Sequence, residues 1–483
     1  MVSLREQLYR LVAFHGTFID TPVLGQLRVR EECTVVVHMT DDGCGTIVLI
    51  RDHCEPMDAV REYDPTVHES DVKIVAATDG SGSQFFFPGF IDTHIHASQY
   101  PNCGLFGKST LLDWLETYTF PLEASLADLD IASDVYTSVI KRTLSAGTTT
   151  ATYYTTIDTE SSKLMGTLCS KLGQRALIGK VCMDQNAPDY YIEDAKDSIE
   201  SCKEMISFFK NDLNDPRVNA IITPRFAPSC SKDLLAALGA LAKENELHIQ
   251  THLSENNKEI SWVKSLFPEC KSYTDVYYQH GLLGERTVLA HCIHCSEDEA
   301  DLIKKTNSGV SHCPVSNSAL ASGECRVKWW LQKGVSVGLG TDVSGGYSAD
   351  ILLSARHAHL VSRHLAMKTD EEKEKINVML SVNECLYLAT MGGAGVLHMQ
   401  DQIGSFDVGK QFDTQLISLD VPNSNVQLFY WQKLNGTKAI KGIRNQPPLL
   451  NHEDIIAKWF FNGDDRNVKY TWVSGQLVHS KDI

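Results

Sequence analysis

Residues 90–99 read FIDTHIHASQ, at the end of the apolar run FFFPGFI (85–91). An apolar run of this kind is consistent with a buried strand. In a strand, residues i and i+2 face the same way, so His94 and His96 project side by side at its C-terminal end. Two imidazoles so placed either complete a buried hydrogen-bond network or hold a metal ion. A lone His-x-His does not choose between these; the flanking sequence does.

Outward from this stretch the chain alternates short apolar segments with longer amphipathic ones. The strand candidates are PGFIDTHI (88–95), TTTATYY (148–154), ALIGKVCM (176–183), NAIITPRF (219–226), LHIQTHL (247–253), TVLAHCI (287–293), GVSHCP (309–314) and VSVGLGTD (335–342). Between them lie helical patterns such as 134–147, 231–245, 259–267 and 296–309, the last of which places Gly309 as a helix C-cap. Eight strand–helix units predict an α/β fold, a (β/α)8 TIM barrel. Helical stretches follow at 349–367 and 382–399, with the charge-rich, solvated DEEKEKIN (370–377) between them. Residues 11–20, 33–39 and 45–52 read as strands, as do 404–420 and 470–480. The two termini are therefore expected to build one small β-sandwich domain. This gives residues 1–86 as its N-terminal part, 87–400 as the catalytic barrel and 401–483 as the return to the sandwich.

At 483 residues, with 43% hydrophobic and 22% charged side chains, the composition is that of a soluble globular chain. A formal net charge of −17 argues against nucleic acid and anionic membrane surfaces as partners. The opening MVSLREQLYR carries Arg5, Glu6 and Arg10 where a signal peptide needs an apolar core. No apolar run approaches the ~18 residues of a membrane helix. The 14 cysteines are scattered, which fits reduced thiols. A cytoplasmic location is expected.

In such a barrel, side chains at the C-terminal strand ends meet in one mouth. Strand one brings His94 and His96, strand four Arg225 and Phe226, strand five His252 and Glu255, strand six His291, and strand eight Asp342. Three imidazoles and a carboxylate make a shell for Zn²⁺ with room for water, and Fe²⁺ also suits these ligands. Bound zinc brings the pKa of water toward ~7. Asp342 and Glu255 then suit proton transfer, although Glu255 also stands where a helix's first turn would take an acid. His291 reads as a fourth ligand, as an electrophile beside the water, or as a structural residue. Arg225 offers a planar donor fork to a carbonyl-bearing ring, and Gln99 both a donor and an acceptor. Phe226, Trp114 and Phe120 are candidates to stack on it, the last two more readily explained as core. Arg225 stands where a carbamylated lysine would bridge two metals, so one metal is expected, with Lys180 as the residue that would complicate this.

Three further motifs are set aside. Cys292 and Cys295 form one C-x-x-C without a second, and Cys292 alternates away from His291. HCP (312–314) lacks the H-x-E and P-C-x-x-C of His/Cys/Cys zinc deaminases. GLGTDVSGG (338–346) has neither the P-loop lysine nor dinucleotide-binding spacing.

The stretches PGFIDTHIHASQ, LLDWLETYTFP, GQRALIGKVCMD, TPRFAPSC, LHIQTHLSEN, HCPVSNSALASG, GLGTDVSGGYS and IGSFDVGKQFD resemble the metal-dependent amidohydrolase superfamily. The resemblance covers most of the chain and is weakest over the first ~80 residues. It implies one zinc ion per subunit, held by His94, His96, His252 and Asp342. It implies hydrolytic deamination of guanine at C2, giving xanthine and ammonia, with Glu255 and Asp342 moving protons; His291 joins them as an expected catalytic residue from its strand-end position. It implies that Gln99, Arg225 and Phe226 contact guanine, and the expected substrate-binding set adds His96, Ala97, Ser98, His252, Glu255 and Asp342. A homodimer is implied as well. The alternatives are a deaminase of another purine, a pterin or a triazine, and a catalytically silent binding or scaffold relative.

Overall fold

The computed structural model describes residues 9–41, 43–77, 83–106, 111–429 and 450–481; the opening eight residues, part of the leader argument above, lie outside them. Eight parallel strands close into a barrel. They are strand one (Phe90–His96), two (Thr148–Tyr154), three (Arg175–Gly179, resuming at Val181–Cys182), four (Val218–Pro224), five (His248–Leu253), six (Thr287–His291), seven (Gly309–His312) and eight (Val337–Leu339). Strand four pairs with five, and eight with one through Leu339 and Asp92, so no edge is left open. Strands one and two are buried along their whole length, as strands covered on both faces must be.

The intervening helices start where short polar side chains can cap them. Asp128, Asp158, Ser231 and Ser296 each accept hydrogen bonds from first-turn amides, satisfying donors that a helix start leaves free. The helix Glu297–Thr306 ends differently from expectation. Asn307, at φ 58°, takes the left-handed position, and Gly309 opens strand seven. An asparagine tolerates that conformation, which frees the glycine to lie against Val396.

Both termini build the second unit. Eight strands (Leu11–Val23, Gln26–Met39, Gly45–Arg51, Val72–Ala77, Gln84–Pro88, Thr414–Ser418, Val468–Val473 and Gln476–Ser480) form one hydrogen-bonded, sandwich-like sheet. Its core is aromatic, with Phe14 edge-on to Trp472 and Phe18 stacked on Phe86. Pro88 ends a strand of this sheet; it does not open barrel strand one. The run FFFPGFI thus serves two units, with Gly89 at the joint, where an added Cβ would lie 2.1 Å from Thr149 Oγ1. Trp459, on the helix His452–Asn462, stacks on Phe90 and packs against Phe85 and Phe87. At the same end of the barrel, buried Arg175, the first residue of strand three, donates to Asp413, Gln411 and Ser474. The small sheet is thereby fastened under the barrel, away from its mouth.

Candidate active site

The strand ends bring four ligand atoms of His94, His96, His252 and Asp342 within 4.8 Å of one another. Asp342 Oδ1 lies 3.2 Å from His94 Nε2 and 3.4 Å from His96 Nε2, and His96 Nε2 lies 3.2 Å from His252 Nε2. His252 donates from Nδ1 to the Arg225 carbonyl at 2.6 Å, which leaves Nε2 as a lone pair aimed at the cluster. Both nitrogens of His94 and Nδ1 of His96 are buried without hydrogen-bond partners among the described residues. Nitrogens orphaned in this way are costly, and a bound cation satisfies them. The donor set fits one divalent metal.

Backbone geometry aims these groups. Ser254, His291 and Asp342 adopt positive φ (50°, 72° and 48°) at the ends of strands five, six and eight. Non-glycine residues hold that conformation at a cost of roughly 1–3 kcal/mol each, and such strain collects at functional sites. Below the ligands, Asp92 ties the first and last strands. It accepts from the His94 and Thr341 amides (3.2 and 3.1 Å) and from the Thr341 hydroxyl (2.6 Å). The glycines of DVSGG are steric: a Cβ on Gly346 would meet the Thr341 carbonyl at 1.9 Å.

Electrostatics separate the roles. Burial alone would raise the Asp342 carboxyl. The close approach and charge of His94, with His291 and His96, hold it well below the usual range instead. Burial raises Glu255, only partly offset by His291. His291 Nε2 lies 3.6 Å from Glu255 Oε2 and 3.7 Å from Asp342 Oδ2, while Nδ1 donates to Asn317 Oδ1 at 2.8 Å. Burial opposes charging of His291, but the two carboxylates outweigh it and lift its pKa. Glu255 is not a helix cap. Asn256 caps the helix Asn257–Leu266 with Glu259 completing the box, so Glu255 is free to turn inward, where Ser322 donates to it.

The cluster opens into a cleft of about 470 Å³, part of it open to solvent, lined by Gln99, Arg225 and Phe226 with Trp114 and Leu115. Phe120 lies behind this wall, its ring 5.2 Å from the Arg225 guanidinium and beside Tyr191. Ala97 packs into the apolar core, and the Ser98 hydroxyl donates to the Thr155 carbonyl, so neither side chain lines the cleft. Lys180 is tied to Glu193 at 2.5 Å. Cys292 and Cys295 are buried free thiols and, among the described residues, belong to no cluster of potential metal ligands. The sequence reading missed Glu123, Asn317, Glu259 and Tyr154. Tyr154 packs its ring against His94, His96 and His252. Its place at the end of strand two, in line with the other strand ends, was the available signal.

A closed barrel whose mouth gathers three imidazoles and a carboxylate, with two further titratable groups beside them, defines a hydrolase that works through a divalent metal. The chain belongs to the amidohydrolase family, whose model matches residues 85–478. A probable guanine deaminase of Schizosaccharomyces pombe is 45% identical over 476 residues, 96% of this chain and 83% of that protein. Guanine deaminase of Escherichia coli is 34% identical over 98% of this chain and 99% of its own. The crystal structure of guanine deaminase from C. acetobutylicum, with guanine bound in its active site, superposes with a TM-score of 0.83 at 31% identity, covering 97% of this chain and all of that one.

Proposed function

We propose that this protein hydrolyses guanine to xanthine and ammonia, with one zinc ion per chain held by His94, His96, His252 and Asp342. The observation that carries the reading is the convergence of that ligand cluster with an arginine–glutamine wall in one cleft. A bound divalent metal supplies Lewis acidity, lowering the pKa of a water beside Asp342. Asp342, already held as the carboxylate, takes the proton from that water. Glu255, its carboxyl raised by burial, gives a proton to the ring nitrogen as C2 becomes tetrahedral. It then takes one from the new hydroxyl as the carbonyl forms and passes it to the amine, which leaves as ammonia; the proton on Asp342 restores Glu255. His291, its pKa lifted by Glu255 and Asp342, donates to the oxygen that develops negative charge. Arg225 and Gln99 read the carbonyl edge of the ring, and Phe226 packs on its face.

The chain holds every ligand a silent relative would be expected to lose. Substrate choice is tested by ammonia release from guanine, adenine, cytosine and methylthioadenosine. Turnover of guanine alone is expected, and turnover confined to the adenosine derivative would overturn the reading. Among the described residues no helix is long and apolar enough to cross a membrane, and all fourteen cysteines are free thiols. These features support a cytoplasmic enzyme. A homodimer rests on family resemblance, and light scattering of the purified protein tests it.

A further inference from the structure

We infer that Glu123 is the positioning residue that gives this cleft its selectivity for a ring carbonyl, an inference that rests on the guanine reading. Glu123 lies on the short helix Phe120–Ser125, wholly buried. It touches no proposed metal ligand. Its two oxygens accept four hydrogen bonds: from Arg225 Nη1 at 2.7 Å and the Tyr191 hydroxyl at 2.8 Å on Oε2, and from Arg225 Nη2 at 3.2 Å and Gln99 Nε2 at 2.9 Å on Oε1. An ionised carboxylate has about four acceptor positions, so Glu123 is saturated.

The consequences run through the two residues that face the substrate. A carboxylate only accepts, so the Gln99 amide must turn its NH₂ toward Glu123 and its oxygen toward the Ser344 amide, 3.3 Å away. One amide orientation is thereby selected. Arg225 is gripped across both terminal nitrogens, with Phe120 against its face. Its Nε has no acceptor among the described residues and, with the remaining Nη2 hydrogen, is left for a ligand oxygen. The carboxylate also cancels the charge of a buried guanidinium beside a metal site and keeps it from pairing with Glu255 or Asp342. Without Glu123 both reading groups would persist but lose their aim.

The test uses the zinc-loaded full chain and its Glu123→Gln variant. Binding of hypoxanthine, which carries the carbonyl, and of unsubstituted purine, which lacks it, is measured by calorimetry, alongside guanine kinetics and metal content. Losing charge-assisted hydrogen bonds is expected to weaken hypoxanthine binding and raise the guanine KM by about 10- to 100-fold. Purine affinity should change less than about threefold, with metal content unaltered. If the variant does not fold, Tyr191→Phe removes one of the four donors and should lower the hypoxanthine-to-purine preference by about threefold. An unchanged preference in a folded variant overturns the inference. So does a wild type that binds the two ligands equally. A wild type that prefers hypoxanthine yet leaves guanine unreacted would instead fault the assigned reaction.

Discussion

At the scale of single residues, the division of labour between Asp342 and Glu255 follows from their surroundings. Imidazole neighbours keep one ionised, and burial makes the other the better acid. Glu255→Gln should therefore lower kcat by about 10²-fold or more while metal content holds; an unchanged kcat would remove Glu255 from proton transfer. His312 illustrates a buried group with a cost. Neither ring nitrogen has a hydrogen-bond partner among the described residues, and burial pushes its pKa down to about 3 from 6.5. Between those values the unfolded chain binds a proton that the folded chain refuses. Stability is thus full above about pH 7 and falls as the pH falls, by about 2 kcal/mol at pH 5. Urea unfolding at pH 7 and pH 5 should show that loss in the wild type, and a correspondingly smaller one in His312→Leu. Equal losses would mean that His312 is charged in the native state. The side-by-side placement of His94 and His96 was legible in the sequence because i and i+2 on a strand must share a face. Glu123 was not, because it stands 102 residues from its partner Arg225, and its helix gives no sign of which way its one buried acid points.

At the scale of elements, the barrel depends on strand one meeting strand eight in register, and Asp92 makes that joint. Removing its carboxylate leaves three buried donors unpaired, at roughly 1–3 kcal/mol each. Asp92→Ala should lower Tm by roughly 5–10 °C and weaken zinc affinity about tenfold, since His94 and Asp342 flank the joint. A variant with wild-type metal affinity would show that the joint is structural only. All eight barrel strands were readable as apolar runs because both their faces are buried. What the runs could not show was where one sheet stops and another starts. Gln84–Pro88 and Phe90–His96 are both buried, so periodicity has nothing to mark between them. Val72–Ala77 was missed as a strand, and the break at Lys180 was invisible inside an unbroken apolar stretch.

At the scale of the molecule, chain segments from residue 92 to residue 342 converge because barrel closure puts every strand's C-terminal end on one rim. The small sheet below, latched by Arg175 and Trp459, uses both termini without reaching the mouth. That convergence is what the sequence allowed to be inferred, and closure is what gave it geometry. The proposed function centres on a single metal on which turnover depends. Metal-stripped protein titrated with Zn²⁺, while the ultraviolet conversion of guanine to xanthine is followed, tests this most directly. Activity should be absent at first, rise linearly and level off at about one equivalent per chain. Full activity in the stripped protein, or none at any zinc level, would contradict it.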